Sequence, residues 1–467
     1  TAGAIALHGY QFGEQDQFVY LPAIKYHVDP SLYPGGTDIF LTQTKLMVFD
    51  EIVALSIRAT RLPFDWAIFL WHAFSIWLLL LGCFQINRRL FVDSAAQWAG
   101  VAGVAALFLL AVAATMLELV DPHLHPRTLA TAFLLLSFAS VLNRSWRALL
   151  WLACAFLVHP LMAAYGAFHL VFQVLPWSAP LMSAVIAASA VPQVAAGKNA
   201  AWHELLQTRW FLFPLRWPWY AWFGVVVPLG LVAWWSTLRE QTASPLLRSV
   251  SGRLFISGTL GTIGGILITV VPQLERLVPA EPMRTLHLVN LMTVLLGMGL
   301  LGQHFLQRKL LRWTAVFAPL CAIMLYSQIQ LHPASAHIDW PGRASQNKWV
   351  QSFDWVRLNT PRDARFALDP RYMERPGEGF HSFGALAERA QMFDFSKDRG
   401  VVATWPALAP AWRQQMDDLQ NWKNFRREDF LRLRGKYRVT WVVVERPAPA
   451  GLPCPYANEA VSVCKIE

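Results

Sequence analysis

Apolar stretches of about 20 residues recur along the chain up to about residue 330, separated by short polar connections. A helix needs about 20 residues to cross the hydrocarbon core of a bilayer, so the pattern predicts eight membrane-spanning helices. A shorter apolar stretch, 180–194, is predicted to be either a re-entrant or interfacial helix or a further span. The eight predicted spans are 64–84, 98–119, 128–142, 149–175, 217–235, 254–271, 285–301 and 313–329.

Composition supports the membrane class. The chain of 467 residues is 55% hydrophobic and 15% charged, whereas soluble domains carry about 25% charged residues. The apolar stretch 2–7 is expected to be the end of a helix whose start is missing, or a processed end, and no complete signal peptide is recognised. A polytopic membrane protein is therefore the predicted class.

Basic residues cluster in alternate connections, and this predicts the topology. Cytoplasmic connections carry an excess of Lys and Arg, so the connections 14–65, 121–127, 176–216 and 273–284 are predicted to be exported. Eight spans fit this alternation if 180–194 does not cross. The net charge of +10 is explained by this bias and by anionic lipids, and no nucleic-acid partner is expected. The basic residues concerned are Arg88, Arg89, Arg144, Arg147, Arg239, Arg248, Arg253, Arg308, Lys309 and Arg312.

The pattern changes near His332, where charged and turn-forming residues replace the apolar stretches. We predict a transmembrane helical domain, 1–331, with a first exported loop, 9–63, followed by an exported α/β domain, 332–467. Cys454 and Cys464 lie in this tail, so an oxidising compartment would allow a disulfide between them. Within the tail we predict helices at 349–358 and 416–433 and strands at 365–368, 439–444 and 460–466.

Two carboxylates, Glu14 and Asp16, stand in the first exported loop. Ionisable groups at the rim of a membrane are costly and tend to be functional. Paired acids there can supply a general base or position a divalent cation such as Mg²⁺ or Mn²⁺. In an extended loop the two side chains would point the same way. The alternatives are a solvated loop acid or a helix cap.

The connection after the second predicted span contains Asp121, His123, His125 and Arg127 around two prolines. Two imidazoles in a Pro-flanked loop could bind a metal or a phosphate, or transfer a proton. Zinc would need third and fourth ligands, which the local sequence does not supply. The alternative is a turn built by proline with histidines at the interface.

Two further residues are candidates for phosphate or substrate binding. Arg284 begins a predicted span at its outer end, where a guanidinium could grip a lipid-linked phosphate or simply reach the interface. His159 precedes Pro160 inside a predicted span, as a functional group or as a histidine that packs helices. We expect one outer cavity to be faced by Glu14, Asp16, His123, His125, Arg127 and Arg284.

Short motifs are spread over most of the chain: His8-Gly9-Tyr10-Gln11-Phe12-Gly13, Asp16-Gln17, Tyr20-Leu21-Pro22, His159-Pro160, the Arg284 segment, Trp355-x-Arg357-x-Asn359-Thr360-Pro361-x-Asp363-Ala364 and Tyr456-x-Asn458. Together with an acidic first loop, many spans and an exported C-terminal domain, they resemble a bacterial subgroup of the GT-C superfamily of membrane glycosyltransferases. The fold that the resemblance implies is a GT-C-like transmembrane helix bundle with a small C-terminal α/β domain.

The resemblance also implies an activity: transfer of a sugar from a polyprenyl-phosphate-linked donor to a lipid or glycan acceptor, at the outer face of a bacterial inner membrane. Asp16 would be the base or the cation-positioning acid, with Glu14 as its helper. Arg284 would hold the donor phosphate, and Arg127 could add positive charge. The alternative is a non-catalytic membrane subunit, or a transporter or flippase. The sequence predicts no particular sugar and no oligomeric state.

Overall fold

The computed structural model describes residues 1–36, 38–175, 200–375 and 380–467. Contacts divide the chain into two compact units. The first unit consists of Thr1–His8, Trp71–Ala196 and Leu206–Tyr326, and the second of Gly9–Leu70, Gly197–Leu205 and Ser327–Glu467. Each unit combines several separate stretches of the chain, so this division does not test the predicted domain boundary between residues 331 and 332. That boundary stays a prediction.

Five helices of the described residues are long and apolar enough to cross a membrane: Phe64–Leu90, Trp219–Ser236, Pro245–Val270, Pro282–Leu306 and Leu310–Leu331. They contain or closely match the predicted stretches 64–84, 217–235, 254–271, 285–301 and 313–329, which are thereby confirmed as long apolar helices. By length and composition, this set of helices indicates association with a membrane.

The predicted span 98–119 is wrong. Its helix, Ser94–Ala106, ends early, and the chain then folds back so that Ala111 pairs with Glu118 in an antiparallel bridge. Ala113 and Met116 adopt left-handed backbone conformations in that turn. Apolar composition alone does not distinguish such a buried turn from a helix.

The predicted span 149–175 is also wrong as one helix. It is divided into Arg147–Val158 and Pro160–Val174 at His159. Proline at the first position of a helix is favourable, and the residue before proline avoids the helical region. The predicted span 128–142 forms the helix Pro126–Leu142, whose 17 residues make it shorter than the five long ones. The stretch 180–194 lies outside the described residues.

Small residues let the long helices of the first unit pack closely. A Cβ at Gly258, on Pro245–Val270, would lie 2.6 Å from a methyl carbon of Leu229, and one at Gly265 would lie 2.6 Å from the sulfur of Met283. Glycine at such positions is a common means of bringing membrane helices together. Pro245–Val270 begins at Ser244, whose hydroxyl accepts a hydrogen bond from the Leu247 amide.

The remaining helices are mostly short. The other α-helices are Ala2–His8, Gln17–Val28, Asp38–Thr44, Phe49–Thr60, Ala200–Thr208, Lys348–Asn359, Phe383–Ala387, Asp398–Thr404, Ala409–Asp418 and Arg427–Tyr437. Two of the long helices are composite, with Phe223–Ser236 as the α-helical part of Trp219–Ser236 and Leu286–Leu301 as that of Pro282–Leu306. The 3₁₀ turns are Trp210–Leu212, Pro214–Arg216, Trp219–Trp222, Pro272–Ala280, Pro282–Thr285, Tyr372–Glu374, Pro406–Leu408 and Trp422–Asn424, and Gly302–Leu306 is a π-helix.

The second unit contains one mixed sheet of five strands: β1 Arg365–Leu368, β2 Ala390–Gln391, β3 Trp441–Glu445, β4 Tyr456–Ala457 and β5 Val461–Lys465. Their order is β2-β1-β3-β5-β4; β1 is parallel to β2 and β3, and β5 is antiparallel to β3 and β4. The predicted strands 365–368, 439–444 and 460–466 are confirmed as β1, β3 and β5.

Both faces of this sheet are buried. On one face Val443 belongs to a core with Phe353, Phe366 and Phe383. On the other face Val442 and Val444 belong to a core with Phe430 and Leu433. Successive residues of a strand point to opposite faces, so the run of valines in β3 serves both cores.

The helices of the tail follow the prediction in part. The predicted helix 349–358 is confirmed as Lys348–Asn359, which Asn347 caps by accepting hydrogen bonds from two backbone amides. The predicted helix 416–433 is wrong as one helix, because Asn421 adopts a left-handed conformation between Ala409–Asp418 and Arg427–Tyr437. A disulfide joins Cys454 to Cys464 in β5.

Candidate functional site

The segment that carries Glu14 is fixed against the tail within the second unit. The Tyr10 amide donates to the carbonyl of His337, and the Asp339 amide donates to the carbonyl of Tyr10. Gly9 permits this approach, since a Cβ there would lie 2.2 Å from the His337 oxygen and its φ is +77°. Further along, the Ser382 amide donates to the carbonyl of Gly13.

Glu14 is fully buried and lies between two histidines. Its Oε2 is 3.2 Å from His332 Nδ1, and its Oε1 is 3.3 Å from His381 Nε2. The three residues are distant in sequence and all belong to the second unit. A buried carboxylate needs such charge or proton-donating partners, because its desolvation is costly.

Asp339 adds a second carboxyl group to this cluster. Burial raises the pKa of Asp339 to about 6. The hydrogen bond from the Phe12 amide and the nearby His381 oppose this rise, and the charge of Glu14 adds to it. Two carboxyl groups and two imidazole rings therefore lie close together in this cluster.

Asp16 has a different environment from Glu14. Its side chain is 37% exposed, and its Oδ1 lies 3.1 Å from the ammonium of Lys397. Gln15, which lies between Glu14 and Asp16 in sequence, adopts a left-handed conformation. Its side-chain oxygen accepts a 2.7 Å hydrogen bond from the same Lys397 ammonium. The chain is therefore not extended here, and the alignment of the two acids expected for an extended loop does not occur.

The position of Lys397 is fixed by a hydrogen bond of its backbone amide. Its amide donates to Asp394 Oδ1 at 2.6 Å, directly before the helix Asp398–Thr404. The Asp16–Lys397 pair thus presents a carboxylate and an ammonium side by side at a partly exposed position. A carboxylate can accept a proton, and an ammonium can bind a phosphate oxygen.

The predicted residues of the 121–127 connection are buried in the first unit. Two N–H groups of the Arg127 guanidinium donate to Asp121, with Nε 3.3 Å from Oδ2. Although burial alone would raise the pKa of Asp121, the charge of Arg127 holds it well below its usual range. Arg127 is 4% exposed, so its first role here is to neutralise Asp121. Binding of substrate phosphate by Arg127 stays a prediction.

The three predicted histidines of the first unit lie near one another. The ring centroids of His123 and His125 are 6.1 Å apart, and those of His125 and His159 are 6.2 Å apart. Two of these rings cap helices: His125 accepts a hydrogen bond from the Arg127 amide, and His159 accepts one from the Met162 amide. Both hydrogen bonds support the structural alternatives from the sequence, namely a turn built by proline around His125 and a histidine that packs helices at His159.

Arg284 lines a small open cleft of the first unit. The cleft is bordered by Thr115, Phe211, Leu212, Glu281, Met283 and Arg284. Arg284 Nε lies 2.5 Å from Glu281 Oε2, and Arg209 lies 3.2 Å from the other oxygen of Glu281. Two guanidiniums therefore contact one carboxylate at this cleft, and guanidinium groups are suited to binding an anionic ligand.

The six residues expected to face one cavity are divided between the two compact units. Glu14 and Asp16 belong to the second unit, and His123, His125, Arg127 and Arg284 belong to the first. Their joint site stays a prediction, and so does a cation at Glu14 and Asp16.

Another set of side chains in the second unit has the donors of a metal site. One ligand atom each from His27, Asp50 and Glu51 lie within 4.8 Å of one another. Burial, and next the charge of Glu51, raise the pKa of Asp50 to about 6, while His27 and the nearby Thr44 hydroxyl act in the opposite direction.

Sequence reasoning missed four residues of the Glu14 and Asp16 surroundings: His332, Asp339, His381 and Lys397. A weak signal existed for two of them, because His332 and Asp339 lie within ten residues of the end of the last apolar stretch. His381 and Lys397 carry no local pattern, since only tertiary contacts bring them to the first loop. Comparison with protein-family models and with curated proteins finds no match to this chain.

Proposed function

We propose that this chain is a GT-C-like membrane glycosyltransferase. It transfers a sugar from a polyprenyl-phosphate-linked donor to a hydroxyl group of a lipid or glycan acceptor. The observation that carries the proposal is the pair of Asp16 and Lys397, 3.1 Å apart and partly exposed, beside the buried Glu14 with its two histidines.

The pair supplies both groups that the reaction needs. The acceptor oxygen attacks the anomeric carbon, the bond from that carbon to the phosphate oxygen breaks, and the acceptor proton passes to Asp16. The electron pair leaves with the polyprenyl phosphate, whose charge Lys397 stabilises. A single displacement of this kind inverts the anomeric centre.

Glu14 is the helper in this proposal. It is buried, so a substrate reaches Asp16 and not Glu14. Its contacts with His332 and His381 fix the loop one residue before Gln15, whose side chain also binds Lys397. Glu14 therefore positions the segment that carries the base.

The cleft at Arg284 is the proposed phosphate-binding place of the first unit. The guanidiniums of Arg284 and Arg209 lie on either side of Glu281 there, and guanidinium groups bind phosphate oxygens in bidentate fashion. Arg127, His123, His125 and His159 are proposed to support ligand binding in that unit.

The proposed location is a bacterial inner membrane, with residues from His332 onward exported. The disulfide between Cys454 and Cys464 supports an oxidising compartment for this segment. Reporter fusions at residue 340 and after residue 467 should be active only for reporters that function outside the cytoplasm. Cytoplasmic activity at both places would reject this location.

The catalytic proposal is tested by replacing the two members of the pair. Asp16→Asn keeps the shape but removes the base, and we expect kcat to fall by about 10²–10⁴-fold. Lys397→Gln should raise the donor KM, since it removes the ammonium. The matched control is Asp417→Asn, because Asp417 is a 67% exposed acid that pairs with Arg413.

All variants should keep the circular dichroism spectrum and melting temperature of the wild type in detergent. Full transfer activity of Asp16→Asn, with its true donor, would reject the assignment and favour a non-catalytic membrane subunit or a transporter.

A further inference from the structure

Two helices of the second unit bring three metal-binding side chains together. His27 lies in the last turn of Gln17–Val28, and Asp50 and Glu51 lie in the first turn of Phe49–Thr60. His27 Nε2 is 3.0 Å from Asp50 Oδ2. One nitrogen and two carboxylate oxygens, all within 4.8 Å of one another, can reach a single cation.

The burial of Asp50 is the second observation that points to a ligand. Asp50 is 1% exposed, and although His27 and the Thr44 hydroxyl lie beside its carboxylate, neither oxygen accepts a hydrogen bond of normal geometry from the described part of the chain. His27 is a close ionic neighbour of Asp50, and Glu51 adds a second negative charge beside it. Buried carboxylates are normally hydrogen-bonded or bound to a metal. A divalent cation would provide the charge and the ligand bonds that this arrangement lacks.

The site is also accessible. The side chain of His27 is 30% exposed and Glu51 is exposed, so an ion can enter from the solvent without unfolding either helix. Once bound, it would join the end of one helix to the start of the next.

We propose that His27, Asp50 and Glu51 bind a divalent transition-metal cation of the Zn²⁺ or Mn²⁺ type. The imidazole nitrogen favours such a cation, whereas Mg²⁺ and Ca²⁺ prefer oxygen ligands alone. Three protein ligands leave at least one coordination position for water. The site contains neither Asp16 nor Lys397, so it does not rest on the proposed glycosyl transfer.

The test is titration calorimetry on the purified full chain in detergent, after treatment with a chelator and its removal. We expect one equivalent of Zn²⁺ or Mn²⁺ to bind, and Mg²⁺ to bind more weakly. His27→Gln and Asp50→Asn should each weaken binding by more than about 10-fold, since even groups outside the ligand set commonly contribute that much. His304→Gln and Asp417→Asn are the controls, because they remove an exposed histidine and an exposed acid elsewhere.

A thermal measurement separates loss of the ligand from loss of the fold. The bound cation should raise the melting temperature of the wild type and of the controls, but not that of His27→Gln. Absence of stoichiometric binding to the wild type would overturn the proposal. So would equal affinity of His27→Gln and wild type, or binding of Mg²⁺ as tight as that of the transition metals.

Discussion

Removal of the Asp121 charge should strongly destabilise the first unit. Asp121 and Arg127 are 6% and 4% exposed, and the guanidinium donates two hydrogen bonds to the carboxylate. Asp121→Asn preserves the size of the side chain but leaves the Arg127 charge buried without its counter-ion. Breaking a buried ion pair in this way costs about 3–5 kcal/mol.

The measurement is thermal or denaturant unfolding of the purified protein in detergent, with a double-mutant cycle. Arg127→Met in the Asp121→Asn background should recover part of the loss, because no buried charge then remains. The control is Glu240→Gln, which removes a 76% exposed partner of Arg248 and should cost no more than about 1 kcal/mol. If Asp121→Asn were as stable as this control, Arg127 would not be a structural counter-ion, and its role as a free phosphate ligand would regain support.

Three other perturbations concern the second unit. Burial raises the pKa of Asp339 from 3.8 to about 6, so the folded state binds this proton more tightly, and stability should fall by up to about 3 kcal/mol as pH rises from about 4 to 6. Asp339→Asn should flatten that part of the stability–pH curve, and an unchanged curve would contradict the burial argument. Cys454→Ser should lower the free energy of unfolding by about 3 kcal/mol, because it opens a loop of ten residues; a reductant should have the same effect on the wild type and none on the variant. Phe353→Ala should lower the free energy of unfolding in urea by about 3–5 kcal/mol, since the ring is fully buried. Leu358→Ala should leave this free energy almost unchanged, because Leu358 is exposed.

Elements with a single dominant signal were predictable from sequence. The helix Lys348–Asn359 has an Asn cap and a following Pro, and the strands β1, β3 and β5 have runs of apolar or β-branched residues. Hydropathy was sufficient for the five long apolar helices. It failed at 98–119 and 149–175, because a buried turn or a break at proline is as apolar as a continuous helix.

The candidate site was predictable only at its first-loop residues. Glu14 and Asp16 stand out because they are acids near a predicted membrane rim. Their different surroundings depend on the left-handed backbone conformation of Gln15. Gly and Asn favour that conformation and Gln does not, so the sequence does not predict it. Glu14 contacts His381 and Asp16 contacts Lys397, and each pair is more than 350 residues apart in sequence. No local sequence pattern predicts contacts at such a separation.

The most direct test of the proposed function is release of polyprenyl phosphate from a panel of polyprenyl-phosphate-linked hexoses and pentoses. Purified wild-type protein would be compared with Asp16→Asn and with the Asp417→Asn control, in the presence of membrane-lipid and glycan acceptors. We predict that at least one donor is consumed with equimolar transfer of its sugar, and that Asp16→Asn lowers the rate by about 10²-fold or more. Equal rates for wild type and Asp16→Asn, or no release from any donor by the wild type, would contradict the proposal.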